Sequence, residues 1–231
     1  MDILTTEMAV LELKRVFEDR LAEQLGLNRV SAPLFVRADS GFQDNLNGTE
    51  HPVSFTISQA DGGEYQIVHS LAKWKRFALS RYNIEVDRGI YTDMNAIRPD
   101  EENLHTAIHS AYVDQWDWEK VISAEHRNLD YLKETVRTIY DTIRYTENKI
   151  CADFGLRPQL VESIHFVHTE DLLRRFPELS PRERENAVCK EFGAVFIIGI
   201  GGPLADGTIH DGRAPDYDDW TTESTAGYHG L

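Results

Sequence analysis

The chain has 231 residues, 41% of them hydrophobic and 10% aromatic, and its 24 Lys and Arg against 39 Asp and Glu give a net charge of −15. That length suits one large domain or two small ones, the apolar content excludes a disordered tail, and the acidic balance argues against a general nucleic-acid binder, which needs a basic face to displace counterions. No apolar run approaches the ~18 residues of a membrane span, the first residues lack the charged-then-apolar pattern of a leader, and two cysteines, Cys151 and Cys189, make no disulfide framework, so a cytoplasmic protein is expected.

Between Thr6 and Leu25 apolar residues fall at Val10, Leu13, Phe17, Leu21 and Leu25, one face of an amphipathic helix that Gly26 stops. An extended segment, Val30 to Val36, carries Pro33, which belongs at a strand edge or end because it cannot donate to a ladder. After a turn-rich loop at 39–48, Val53 to Ile57 alternates with period two, and Glu64 to His69 reads as its hairpin partner through Asp61-Gly62-Gly63. Ser70 is placed to cap a short helix from Leu71 to Leu79.

Gly89 to Arg98 is a third extended run, ended by Pro99, and a polar loop to Ser110 joins it to Ala111–Trp118. The longest helix carries Leu129, Leu132, Val136, Ile139, Ile143, Ile150 and Phe154 on one stripe and closes at Gly155. Ser180-Pro-Arg-Glu183 is a capping box that starts a helix ending at Gly193; Ala194–Ile200 reads as a buried strand, and the rest as loop. Strands that arrive as hairpins with helices between them favour an α+β fold with an antiparallel sheet. The ending, without a terminal helix or polar tail, is what a fragment would show.

Four clusters carry candidate chemistry. Five aspartates crowd Asp206 to Trp220, a pattern that suits Mg²⁺, ammonium or an amino group, or else a solvated acidic loop; Arg213 is an internal counter-charge. In Tyr112–Trp118, Asp114, Trp116 and Trp118 share one strand face while Val113, Gln115 and Asp117 share the other, so Gln115 and Asp117 can hold a small polar ligand or simply face water. In His69–Arg76, Lys75 points away from Lys73 and Arg76, so one lysine turns inward or all three cations are solvated. Arg98, stiffened by Pro99, offers a fork for a phosphate or carboxylate, or ends a surface turn. His165 and His168 point to opposite faces of a strand, which disfavours zinc, and Gly199-Ile-Gly-Gly-Pro203 lacks the Lys-Ser/Thr of a phosphate loop.

Together these residues resemble a known family. Gly26-Leu-Asn-Arg-Val30-Ser-Ala-Pro33-Leu-Phe35 after a long helix is similar to the first motif of class II aminoacyl-tRNA synthetase catalytic domains, and Arg98-Pro-Asp-Glu101 followed by Ala111–Trp118 to the second. More specifically, Gln43-Asp-Asn-Leu46, His69–Arg76, Arg98–Glu101, Tyr112–Trp118 and Arg213–Trp220 resemble ammonia-dependent asparagine synthetases, the aspartate–ammonia ligases.

The resemblance implies a class II synthetase-like antiparallel sheet flanked by helices, with residues 1–231 a single catalytic domain. It implies ATP-dependent amidation of L-aspartate through β-aspartyl-AMP, with Mg²⁺, ammonia as nitrogen donor, a homodimer, and neither nucleic acid nor membrane as partner. By the same resemblance Arg98 holds the ATP α-phosphate and Lys75 clamps aspartate. Asp44 and Gln115 bind the amino-acid head group, with Ser70 beside them. Asp117 or Asp218 takes a proton from ammonium, and Arg213 and Ser110 contact the nucleotide. Family members continue past Leu231 with further strands and a third, glycine-rich motif, so weak or absent turnover and poor solubility are expected of residues 1–231 alone. The alternative is a non-catalytic class II-like module that binds an amino acid or a partner. A metal-dependent phosphohydrolase built on the aspartate-rich loop is a more distant third.

Overall fold

A computed structural model describes residues 1–44, 46, 50–60, 62–101, 104, 106 and 109–212. The chain divides into two compact units, Gly26–Ile122 and, from either side of it in sequence, Met1–Leu25 with Ser123–Leu231.

In the first unit, β1 (Leu27–Arg29) runs parallel to β5 (Gly89–Ile97), which pairs antiparallel with β6 (Tyr112–Lys120) along its whole length. A smaller antiparallel sheet has the order β2 (Phe35–Arg37), β4 (Glu64–Ile67), β3 (Ser54–Thr56), and α2 (Ala72–Arg81) follows it. Of the single extended segment expected at Val30–Val36, only Phe35 and Val36 are strand, at the start of β2; β1 ends at Arg29, just before it. Pro33 lies between the two strands, where its missing N–H costs no ladder bond. Ser70 is not the N-cap of α2: Leu71 holds that position, and Ser70, one residue earlier, accepts the Ala72 N–H through Oγ at 3.2 Å.

The core of this unit is Val36, Val68, Leu71, Met94 and Ala96 with Trp74 packed against it. Ile90, Thr92, Met94 and Ala96, alternate residues of β5, are all buried, so one face of the β5–β6 pair is inward and the other carries Tyr91, Asp93, Trp116 and Trp118. On that outer face Asp93 ties Arg29 (2.7 Å) to the Trp116 indole N–H (2.8 Å).

Gly89 sits where β1 and β6 flank β5, and a Cβ there would press on the Glu119 carbonyl oxygen and come within 2.6 Å of Leu27 Cδ2. Gly89→Ala is expected to cost about 1–3 kcal/mol by overpacking and to displace Glu119 with it. A chemical-denaturation midpoint equal to that of the parent chain would contradict this.

The second unit packs α1 (Ile3–Leu25) on α3 (Leu129–Phe154). The predicted α1 stripe is buried only at Leu21 and Leu25, with Ala9 the third buried position; Val10 and Leu13 are exposed, as is Ile143 of the α3 stripe. The Asn128 side chain accepts the Tyr131 N–H as N-cap of α3, and Gly155 closes the helix at φ 67°. The capping box is present, Ser180 and Glu183 satisfying each other's backbone donors ahead of α5 (Pro181–Phe192). β7 (His165–His168) and β8 (Val195–Ile198) are parallel, joined through α4 (Thr169–Arg175) and α5 over a core of Val167, Leu172 and Val188. β8 is half-buried rather than buried: it is shorter than the expected run, and among the described residues it pairs with β7 alone. Antiparallel pairing dominates, as the α+β reading expects; β1–β5 and β7–β8 are the two parallel exceptions.

Candidate active site

The inward face of β5–β6 leads directly to the candidate site. Gln115, Asp117 and Glu119 alternate along β6 opposite Met94, Thr92 and Ile90, and Arg98 follows β5 in the same phase, its N–H bonded to the Ala111 carbonyl at 2.7 Å. Arg98 to Asp117 spans six residues of ladder, roughly 20 Å at about 3.4 Å each. A row of that length suits an aminoacyl-nucleotide better than an amino acid alone.

At one end is Lys75. The α2 helix turns it inward, leaving it 5% exposed, while Lys73 is half-buried with Nζ on the Gln43 carbonyl (3.3 Å) and Arg76 is exposed. Lys75 Nζ bonds Asp117 Oδ1, the Trp118 carbonyl at 2.9 Å and Glu119 at 3.3 Å. Two carboxylates thus face one ammonium, and this end of the row carries a net charge of about −1, a setting that attracts an ammonium or α-amino group. Gln115 stands between, its amide 3.4 Å from Met94 Sδ, a weak contact that a better acceptor can replace.

At the other end is Arg98. A tight turn, Glu101 N–H to Arg98 carbonyl at 3.3 Å, follows it around Pro99. Its Nη2 donates to the His69 carbonyl at 3.1 Å, and its buried Nε has no hydrogen-bond partner. A tight turn is present where the sequence offered one, and one nitrogen of the guanidinium is held by the His69 carbonyl. Asp44 is buried with Oδ1 accepting the Leu46 N–H at 3.1 Å, and Gln43 beside it bridges the Ile67 carbonyl (2.9 Å) and the His69 N–H (3.1 Å). Ser70 is buried next to His69.

Seven of the nine residues expected in the site are described: Gln115 and Asp117 lie on this face, Arg98 just past the end of β5, Lys75 on α2, Ser70 just before α2, and Asp44 in the segment whose neighbour Gln43 bonds the His69 backbone. Ser110 is exposed at the start of β6, its Oγ on the Tyr112 N–H at 3.2 Å. Arg213 and Asp218 lie outside the described residues. Three participants were missed. Glu119 follows Asp117 by two residues, a period-two signal that points to it. Gln43 adjoins Asp44, and its role rests on long-range bonds that no local pattern encodes. His69 precedes Ser70 and is 1% exposed, with neither ring nitrogen partnered. Burial, then the Arg98 guanidinium, push its imidazole below the ordinary 6.5 against the pull of Glu50, Asp100 and Asp44, so at pH 7 the ring is neutral.

Comparison with known proteins names the family. The aspartate-ammonia ligase family model matches residues 4–226. The chain belongs to the aspartate–ammonia ligase family. A Clostridium perfringens aspartate–ammonia ligase is 59% identical over 217 residues, which cover 94% of this chain and 64% of that protein. One from Fusobacterium nucleatum is 56% identical over 221 residues, 95% of this chain and 66% of its own length. The chain therefore spans a little under two thirds of the length of these ligases. Among solved structures, Entamoeba histolytica asparaginyl-tRNA synthetase in complex with asparaginyl-adenylate superposes with a TM-score of 0.54 at 13% identity, covering 83% of this chain and 42% of that one. That likeness is one of fold, and it bears out the class II synthetase-like α+β architecture.

Proposed function

We propose that this chain carries out, or forms the larger part of an enzyme that carries out, ATP-dependent ligation of ammonia to L-aspartate, giving L-asparagine, AMP and pyrophosphate. The observation that carries the reading is the family match across residues 4–226, which runs through every element of the inward-facing row. The β-carboxylate of aspartate attacks the α-phosphorus of ATP and pyrophosphate leaves; ammonia then displaces AMP from the β-aspartyl-AMP.

Each residue takes the part its surroundings favour. Arg98, with an unsatisfied Nε and one Nη already anchored, presents its fork to the α-phosphoryl group, where charge builds in the first transition state. Lys75, fixed by Asp117, Glu119 and the Trp118 carbonyl, orients a substrate carboxylate, chiefly a positioning task. Asp44 pairs with the α-ammonium and Gln115 with the head group, with Ser70 alongside. Lys75 already occupies one oxygen of Asp117, so as proton acceptor from ammonium Asp117 works through its other oxygen; Asp218 shares that assignment. Ser110 and Arg213 are assigned to the nucleotide by the family resemblance alone.

Mg²⁺ accompanies the nucleotide in this reading. Among the described residues no group of three or more His, Cys, Asp and Glu side chains converges, and no step here runs through the ion. The enzyme is further proposed to be a cytoplasmic homodimer, a reading the exposed Ile3, Leu4 and Met8 of α1 favour; no described helix is long and apolar enough to cross a membrane.

The test is the fate of ¹⁵N-ammonium supplied with ATP and L-aspartate. Label in the asparagine side-chain amide is expected. Bound aspartate without labelled product would favour the non-catalytic module.

A further inference from the structure

We propose that His69 is a further catalytic residue of this site: its imidazole donates one hydrogen bond to the non-bridging α-phosphoryl oxygen that the Arg98 guanidinium also holds. The inference rests on the ligase reading and deepens it.

Three buried nitrogens in one place, His69 Nδ1, His69 Nε2 and Arg98 Nε, have no hydrogen-bond partner. A buried donor left unmade costs about 1–3 kcal/mol, so neighbouring orphans are the mark of a place where a ligand supplies the acceptors. The backbone of His69 is held from both sides, its N–H by Gln43 Oε1 at 3.1 Å and its carbonyl by Arg98 Nη2 at 3.1 Å. That arrangement fixes the ring against the guanidinium without using either ring nitrogen. Two neighbouring donors without a partner, the His69 N–H and Arg98 Nε, call for an acceptor with several lone pairs, and a phosphoryl group has them.

The groups that face the ring are the Arg98 guanidinium at the end of β5 and the Glu50, Asp100 and Asp44 carboxylates of the adjoining loops. A neutral ring in that setting keeps one N–H to donate. In the adenylation step the bond from the aspartate β-carboxylate oxygen to the α-phosphorus forms as the bond to the pyrophosphate oxygen breaks. His69 stays protonated on its donating nitrogen throughout, stabilising charge on the phosphoryl oxygen without transferring a proton.

The test is aspartate-dependent ATP–pyrophosphate exchange, which reads the first step without ammonia, for the parent chain, H69Q and H69A. H69A is expected to slow exchange about 100-fold at saturating ATP with the aspartate KM unchanged. H69Q, whose carboxamide restores an N–H, is expected to recover to within about tenfold. The parent chain is expected to discriminate between the two α-thio diastereomers of ATP and H69A to weaken that preference, a change that a merely structural histidine would not produce. H69A and H69Q equally slow, or an unchanged diastereomer preference, would overturn the inference and leave the ligase reading standing. Absence of aspartate-dependent exchange both in the parent chain and in one extended to the length of its relatives would overturn both. A measurement independent of variant folding is the ¹⁵N spectrum of the His69 ring on addition of AMP: one nitrogen is expected to shift, and two unmoved resonances would overturn the assignment.

Discussion

Lys75→Met is expected to lower aspartate-dependent AMP formation by about 100- to 1,000-fold, the loss that follows when a charged positioning contact is removed from a reacting carboxylate. Met fills much of the volume of the lysine stem, so the 5%-exposed slot on α2 stays packed. What changes is the charge, because Asp117 and Glu119 lose their common cation. Those side chains are 19% and 30% exposed, so solvent screens part of the resulting repulsion, and a stability loss of about 2 kcal/mol is expected, below that of a fully buried pair. Lys75→Arg is expected to fare little better, since a planar fork does not fit a slot shaped to a single ammonium. The readout is the aspartate KM together with kcat. A variant that weakens ATP alone, leaving aspartate untouched, would remove Lys75 from the amino-acid end of the row.

Arg98→Ala is expected to cost about 1,000-fold in the adenylation step and to release the His69 carbonyl that Nη2 now holds. Arg98→Lys keeps the charge and loses the fork, so a loss of about tenfold to 100-fold is expected, falling on kcat more than on the ATP KM. If Arg98→Lys retained full activity, charge alone would suffice and the geometric role of the guanidinium would fall. Arg98→Ala also strips away one of the two causes that keep the His69 imidazole below 6.5, so the ring is expected to titrate at higher pH in that variant, which ¹⁵N spectra measure.

The parts of the site that the sequence discloses are those governed by local rules. Period-two alternation puts Gln115 and Asp117 on one face of β6, and helical phase separates Lys75 from Lys73 and Arg76; the ladder and α2 bear out both. The capping box at Ser180 and the glycine closing α3 are local as well, and both are present. What escapes is non-local. Nothing within Val30–Val36 tells that the Val30 N–H goes to Tyr91 of β5 while Phe35 and Val36 pair with β4, since those partners lie about sixty and thirty residues on. The parallel pairing of β7 with β8 depends in the same way on the two helices between them. His69 reads from sequence as one residue of a hairpin strand, and its burial with two unpartnered nitrogens arises only when Gln43 and Arg98 close on its backbone. The resemblance to aspartate–ammonia ligases came from several uncommon motifs in order, and the family match over residues 4–226 bears it out.

The most direct test of the central claim is AMP release by this chain with ATP, Mg²⁺, L-aspartate and ammonium, each omitted in turn. The account predicts AMP above background only when aspartate and ammonium are both present, with asparagine and pyrophosphate in equal amounts. Orthophosphate released without aspartate, or AMP that ignores aspartate, would contradict it. No AMP from either this chain or the Clostridium perfringens relative under the same conditions would leave a module that binds and does not ligate.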